Sequence, residues 1–512
     1  MFRSITYAPA RPRGFPLLRW ASLFLLLVGM VLLVTEISRY SRFRRSLPPN
    51  TVIGGVPVGG LTPEEAVQRL LEVYNRPVEL RYGEARIWLD PATIGFTLDT
   101  KAMLAAVARV QERRSFWSGF WDFLWGRRPE GVSVPLVAEY SKTRLREYLE
   151  REIVARYDRP PRPPQPIVGT TRMQPGEPGT ALQIEEAISR IERALFSPSR
   201  RVVILPVRQI EPQGPPFANL QVLLEQTVQL ADFEGVVGVY FMDLDTGREI
   251  HFAYQGQDPV PLPPDIAFTG ASIIKIPIMV SVMKRIDLER ADPEVLRQME
   301  NMIAESGNEA ADWLMENVLD PNLGPLLVTE DMRLLGLENT FLAGFFRPGA
   351  PLLKRYETPA SQRTDVFTDP DPYNQTTPSD MGALLADLYQ CANHGGGALQ
   401  AAFPNEITRE ECRYMLDLLS TNRIAVLFEA GIPDGTRIDH KHGWVTNFQG
   451  YITTMGDAGI IYTPKGDFVL VAFIWHPVQV IWDQGAALLA DLAEAVYNFY
   501  NPPPTTTSSS SR

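Results

Sequence analysis

From Phe15 to Ile37 the chain is almost wholly apolar, with the core Trp20-Ala-Ser-Leu-Phe-Leu-Leu-Leu-Val-Gly-Met-Val-Leu-Leu-Val34. A helix that is apolar all round is either buried in a large core or spans a membrane, and about 20 such residues suffice to cross a bilayer. A cleaved signal peptide is the competing reading. The run is long for one, and no small-x-small cleavage site precedes Arg39. No cysteine follows to carry a lipid anchor. The expectation is therefore an uncleaved single-pass anchor over 15–38, preceded by a basic, acid-free segment 1–14 and followed by a Pro-ended tether 39–50. Arg3, Arg11, Arg13 and Arg19 lie before it and Arg39, Arg42, Arg44 and Arg45 after it, so flanking charge does not choose an orientation.

The length of 512 residues leaves room for about three domains. A net charge of −11 argues against a nucleic-acid partner. The two cysteines, Cys391 and Cys412, are too few for a disulfide scaffold, and no C-x-x-C or zinc spacing exists. An exported domain would allow one disulfide between them; two inert core thiols are the simpler reading. No cofactor is expected.

Residues 51–212 read as a small α+β domain. Thr62 is an N-cap with Pro63 at the first helical position and Glu65 at the third, a capping box. A helix is predicted over 64–75, then strands over 78–82 and 85–89. Gly54-Val-Pro-Val-Gly-Gly-Leu-Thr-Pro-Glu-Glu-Ala66, Ile94-Gly-Phe-Thr-Leu98 and Pro175-Gly-Glu-Pro-Gly-Thr-Ala-Leu-Gln-Ile184 carry a resemblance. The segment resembles the peptidoglycan-binding type of domain found ahead of L,D-transpeptidases, which implies a wall polymer as partner; the bland alternative is a spacer. Inside it, Phe116-Trp-Ser-Gly-Phe-Trp-Asp-Phe-Leu-Trp125 with Arg127 and Arg128 reads as core packing or a hairpin cap, with a membrane interface as the other reading. Pro160-Pro-Arg-Pro-Pro-Gln-Pro166 reads as an extended connector.

From 213 to 500 the composition is that of a compact α/β domain, and 501–512 is a low-complexity tail. Strands are predicted over 236–243 and 249–254, joined at Asp245-Thr-Gly247. Helices follow over 293–305, 309–318, 378–392 and 410–420. Strands over 450–455, 458–463 and 468–475 and a helix over 481–500 close it. This order implies an antiparallel sheet with the N- and C-terminal helices on one face.

The chemistry is concentrated in Phe268-Thr-Gly-Ala-Ser-Ile-Ile-Lys-Ile-Pro-Ile-Met-Val-Ser-Val-Met283. Ser272 and Lys275 are one helical turn apart, so a hydroxyl and an ammonium share a face. An apolar helix desolvates the lysine, lowers its pKa and lets it accept the serine proton. S-x-x-K alone is common by chance. Here Ser306-Gly-Asn308, Asn374-Gln-Thr-Thr-Pro378 and Lys441-His-Gly443 follow in order. With them the chain resembles the serine β-lactamase and penicillin-binding protein superfamily, nearest to class A.

The resemblance implies a β-lactamase-like fold, α+β, in which an antiparallel sheet is flanked by helices. It assigns Ser272 as nucleophile, Lys275 as base, Ser306 as proton relay, Asn308 as a partner of Lys275 and the substrate amide, and Lys441 as the positive charge. His442, Gly443 and Trp444 would form the substrate-binding edge, with the N–H groups of Ser272 and Trp444 as oxyanion hole. Three departures stand out. Gly307 replaces the acid of the second motif. His442 replaces the hydroxyl residue of the third. No glutamate lies in register to activate a deacylating water; Glu357 and Asp365 only flank that place. His440 and His442 share a strand face, but no third metal ligand is signalled, and no metal is expected.

The resulting expectation is a membrane-anchored serine hydrolase of the cell envelope, N-terminus cytoplasmic and catalytic domain external. Its substrates would be D-Ala-D-Ala-like peptidoglycan peptides or related amides, with β-lactams as a second ligand class. The alternatives are a class A-like β-lactamase, or a weakly catalytic wall-binding or sensor protein.

Overall fold

The computed structural model describes residues 16–113, 115–127, 130–422 and 427–504. The segment 1–14, Arg128 and most of the tail expected over 501–512 lie outside the described residues. The chain divides into two compact units, residues 1–161 with 178–211, and residues 162–177 with 212–512.

The first unit begins with helix α1 (Pro16–Arg45). Its portion Arg19–Arg45 holds an 18-residue window of mean hydropathy 2.2 and is long and apolar enough to cross a membrane. Helix α2 (Pro63–Tyr74) starts at Thr62, whose hydroxyl accepts from Glu65 N while Glu65 accepts from Thr62 N. The predicted capping box is thus present, and it anchors the face that buries Ala66, Leu70 and Tyr74. Strands β1 (Val78–Tyr82) and β2 (Ala85–Leu89) form an antiparallel hairpin, and β3 (Val202–Ile204) adds to β1 in parallel. Helix α3 (Thr100–Glu112) is followed by α4 (Phe116–Leu124). Sequence favoured core packing for this aromatic run. Only Phe120 is buried; Trp117, Trp121 and Trp125 are exposed.

The second unit includes 162–177, which sequence grouped with the first domain. Gln165–Pro166 and Met173–Gln174 pair as a short hairpin, and Met173 is buried in this unit's core. Thr171 donates to Glu494 (2.7 Å) and accepts from Asn498 (3.1 Å).

Six strands make the largest sheet among the described residues of this unit. Three more helices and five of the strands matter below: α5 (Phe217–Leu230), β4 (Val236–Asp243), β5 (Glu249–Gln255), α6 (Lys275–Met283), β6 (Ile438–Thr446), β7 (Ile452–Thr463), β8 (Gly466–Trp475) and α7 (Trp482–Tyr500). The order is Asp258–Pro259, β5, β4, β8, β7, β6, all antiparallel. Strand side chains alternate between faces. On β8, Phe468, Leu470, Ala472 and Ile474 meet α5 and α7, while Val469, Val471 and Phe473 face the helical body that carries α6. The terminal helices therefore share one face, as the element order implied.

Two local readings are corrected. Sequence broke β7 at Gly456-Asp457, because both residues disfavour strands. The strand runs through, since the buried Asp457 carboxylate is held by His440 Nδ1 at 3.0 Å and by Phe428 N at 3.2 Å. Cys391 and Cys412, favoured as free thiols, form a disulfide with Cα atoms 6.0 Å apart. They sit on the packed helices Pro378–His394 and Arg409–Leu419.

Candidate active site

Ser272 lies on a 3₁₀ turn, Ala271–Ile274, that runs directly into α6 at Lys275. In a 3₁₀ turn residues three apart eclipse, so the two side chains stack on one face. Lys275 Nζ is 3.1 Å from Ser272 Oγ. It is also 2.5 Å from Ser306 O, 3.1 Å from Ser306 Oγ and 2.7 Å from Asn308 Oδ1. Ser306 and Asn308 reach it from the turn before the helix Asn308–Leu314. The structure thus brings together Ser272, Lys275, Ser306 and Asn308 within hydrogen-bond distance of one amine.

That geometry accommodates a neutral amine. A neutral amine has two N–H donors and one lone pair. The Ser306 carbonyl and the Asn308 amide oxygen have only acceptor capacity, and they occupy the two donors. The lone pair is left for the hydroxyls of Ser272 and Ser306, both at 3.1 Å. Lys275 is fully buried. Burial, with the nearby charge of Lys441, pushes its ammonium pKa down to about 7 against an opposing pull from Asp312. The arrangement is able to take a proton from one hydroxyl and pass it to the other.

The backbone is strained where it matters. Ala271 and Ser306 have positive φ values of 47° and 54°. Left-handed conformations are unfavourable for non-glycine residues and collect at functional sites. They aim the Ser272 turn and the Ser306 hydroxyl at the same point.

Lys441, Gly443 and Trp444 come from β6, which borders the Ser272 turn. Gly443 packs so closely that a Cβ there would lie 2.6 Å from Ser272 N. Lys441 is buried, donates to His442 O (3.1 Å), and has its pKa lowered by burial to about 8, with Asp457 opposing. Its charge reaches Lys275.

His442 alternates to the other face of β6. Its ring lies parallel to Trp444, centroids 5.5 Å apart, and Trp444 meets Trp482 edge-on. Asn422 Nδ2 lies 2.5 Å from His442 Nδ1 and 3.2 Å from His440 Nε2, and His440 pairs with Asp457. Burial pushes the His442 imidazole down to about 4, so the ring is neutral at pH 7. Among the described residues His442 makes no hydrogen bond to Ser272, Lys275, Ser306 or Asn308. The histidine pair is committed to Asp457 and Asn422, and no described group of three or more His, Cys, Asp or Glu is arranged to hold a metal.

Sequence reasoning missed Asp312, Phe346, Asn422 and Asp457. Asp312 accepts from Phe346 N and Arg347 N (2.7 and 2.8 Å), which holds the Phe346 ring 5.4 Å from Lys275 Nζ. Its spacing of four from Asn308 on one helix face was the available signal. Glu357 is exposed and accepts from Gln362; exposed Asp365 is paired with Arg363, which holds its carboxyl down at about 2.

The model of the beta-lactamase enzyme family matches residues 220–300 and 292–500, together more than half of the chain. Among curated proteins no relative matches. Several solved structures are similar. One is that of PBP-A, at 21% identity over 57% of this chain and 98% of that one, with a TM-score of 0.40. An ancestral class A β-lactamase is 24% identical over 54% of this chain and 98% of its own, TM-score 0.38. A β-lactamase from Sphaerobacter thermophilus is 19% identical over 55% and 98%, TM-score 0.39.

Proposed function

The chain belongs to the beta-lactamase enzyme family, and from that premise we propose that its second unit is an acyl-serine hydrolase of the cell envelope that acts on peptidoglycan peptides. The observation that carries the reading is the Lys275 amine held between the Ser272 and Ser306 hydroxyls by two carbonyl acceptors.

In this reading neutral Lys275 takes the Ser272 proton as Oγ attacks the substrate carbonyl. The N–H groups of Ser272 and Trp444 receive the oxyanion, each such donor contributing about 3–4 kcal/mol to the transition state. The proton then passes from Lys275 through Ser306 to the leaving nitrogen, and the C–N bond breaks. Lys275 ends neutral and Ser272 ends acylated. Water completes the cycle by hydrolysing the ester. The charge of Lys441 attracts a substrate carboxylate, as on a D-Ala-D-Ala-like terminus.

The peptide reading over the β-lactamase one is supported by the surroundings of the flanking carboxylates. Glu357 and Asp365 are exposed and engaged elsewhere, which leaves water without a positioned base. An external catalytic unit is supported by the Cys391–Cys412 disulfide, which suits an oxidising compartment, and by the apolar helix α1 as a single-pass anchor. The first unit would then hold or bind the wall polymer.

Fluorescent penicillin labelling of wild type and Ser272→Ala, followed by intact-protein mass and nitrocefin turnover, tests the proposal. The expected outcome is a long-lived adduct on Ser272 that Ser272→Ala abolishes. Fast steady-state turnover that collapses in Glu357→Gln or Asp365→Asn would establish the β-lactamase alternative. Acylation with no release of D-alanine from wall peptides would favour a sensor.

A further inference from the structure

Helix α4 is amphipathic in an unusual sense: both faces are apolar, but only one is covered. Phe116, Phe120 and Phe123 pack around Tyr40 of α1, with ring centroids 5.3, 5.6 and 5.4 Å away, and Phe43 joins Phe123 at 5.2 Å. Gly119 gives the Tyr40 hydroxyl room to lie against the α4 backbone, where any Cβ would collide with it. The opposite stripe is Trp117, Trp121 and Trp125, spaced i, i+4, i+8, and 60%, 58% and 75% exposed. Three such indoles in one open row are not a folding core.

The position of α4 along α1 says what covers that row. The apolar run of α1 ends at Ile37, and Tyr40 lies three residues further on. At about 1.5 Å per residue this is about 4–5 Å past the hydrocarbon edge. Each headgroup layer is about 5–8 Å thick. The docked helix is thus level with the headgroups. Tryptophan prefers that layer because its ring is apolar and its N–H is polar. Arg42, Arg44 and Arg45 crowd the last turn of α1, and Arg44 lies over the Phe116 ring at 5.4 Å. Arg127 follows α4 and is 3.9 Å from Asp122. Cations at this depth meet lipid phosphates.

We infer that α4 is a second membrane contact, lying in the headgroup layer with Trp117, Trp121 and Trp125 turned into the bilayer and Gly119 clamped on Tyr40. The occupant of the exposed row is lipid. The inference rests on α1 being a membrane anchor. Its consequence is mechanical: the Gly119–Tyr40 clamp fixes the angle between anchor and first unit, which a bare tether would leave free.

The test uses the full chain in nanodiscs. Its two cysteines are disulfide-paired, so an added cysteine labels uniquely. Trp121→Cys, Leu27→Cys and Phe448→Cys are each tagged with nitrobenzoxadiazole; all three side chains are exposed, so the label disturbs no core. The probes are a lipid with a nitroxide near the headgroup and aqueous iodide. The label at 121 is expected to be quenched by the nitroxide lipid and shielded from iodide, with the reverse at 448. A 121 label open to iodide, with the 27 label still inaccessible to it, would overturn the inference and leave the anchor standing. Shielding at 121 from both probes would overturn it in favour of a protein partner or second copy. Iodide access at both 27 and 121 would overturn the anchor and this inference together.

Discussion

Gly443 lies against the backbone of Ser272, close enough that a Cβ on residue 443 would sit 2.6 Å from Ser272 N. The strand edge and the nucleophile turn are in van der Waals contact at the point where the two oxyanion donors would converge. That Cβ would also meet the Ala271 Cβ at 2.9 Å and Ile273 N at 3.2 Å, and none of these atoms is the free end of a flexible side chain that could give way.

Gly443→Ala is therefore expected to push β6 away from Ser272 and misplace an oxyanion donor. Acylation by penicillin should fall about 10²–10³-fold, and the melting temperature should drop by a few degrees, since overpacking of this kind costs about 1–3 kcal/mol. Unchanged acylation in a folded Gly443→Ala protein would remove the oxyanion assignment. A stopped-flow labelling rate beside a thermal melt reads both.

The two lysines set opposite pH limbs. Burial holds Lys275 down at about 7, and it acts only when neutral, so acylation should rise with pH through about 7. Lys441, at about 8, acts only when charged, so the rate should fall above that value. His442, at about 4, is neutral throughout and contributes neither limb. Lys441→Arg keeps its charge at high pH and should abolish the alkaline limb alone. A profile of acylation rate from pH 5 to 10 decides it; an acid limb missing in wild type would sink the Lys275 role.

Ser306 couples activity to strain. Its φ of 54° is unfavourable for a serine and free for glycine. Ser306→Gly should leave the fold as stable or more stable by up to about 1 kcal/mol. Loss of the hydroxyl should slow acylation about 10²–10⁴-fold. Urea denaturation with labelling kinetics checks the pair. Lower stability together with normal kinetics would refute both halves.

The Cys391–Cys412 disulfide closes a segment of 21 residues between two packed helices. By loop entropy, the double Cys→Ala variant should lose about 3 kcal/mol. Labelling of Ser272 should persist below the lowered melting temperature, because neither cysteine touches the site cluster. Identical urea midpoints for oxidised wild type and the variant would show that the bond adds nothing.

Much of the framework was legible because its determinants are local. Strand β4 follows the predicted bounds, since Val236-Val-Gly-Val-Tyr-Phe-Met-Asp243 is a dense run of strand formers. The start of α2 follows from Thr62, Pro63 and Glu65, which act on their own backbone. The spacing of Ser272 to Lys275 likewise places two side chains on one face whether the turn is α or 3₁₀. Gly456-Asp457 and the tryptophan row were misread for the opposite reason. Their states depend on His440 and Tyr40, which lie 17 and about 80 residues away in sequence.

What sequence by itself determined, then, is which chemical groups the chain carries and on which local elements: an apolar span, a serine–lysine turn, a Ser306–Asn308 turn and a Lys441 strand. Only the tertiary structure decided what those groups do to each other. It put Ser306 O and Asn308 Oδ1 against Lys275 Nζ, turned His442 to the far face of β6 onto Asn422 and Trp444, and left three tryptophans uncovered beside α1. The physical reason is range. Caps, turns and periodicity act within a few residues of backbone. Desolvation, lone-pair direction and surface exposure are set by whichever distant segments the fold brings alongside.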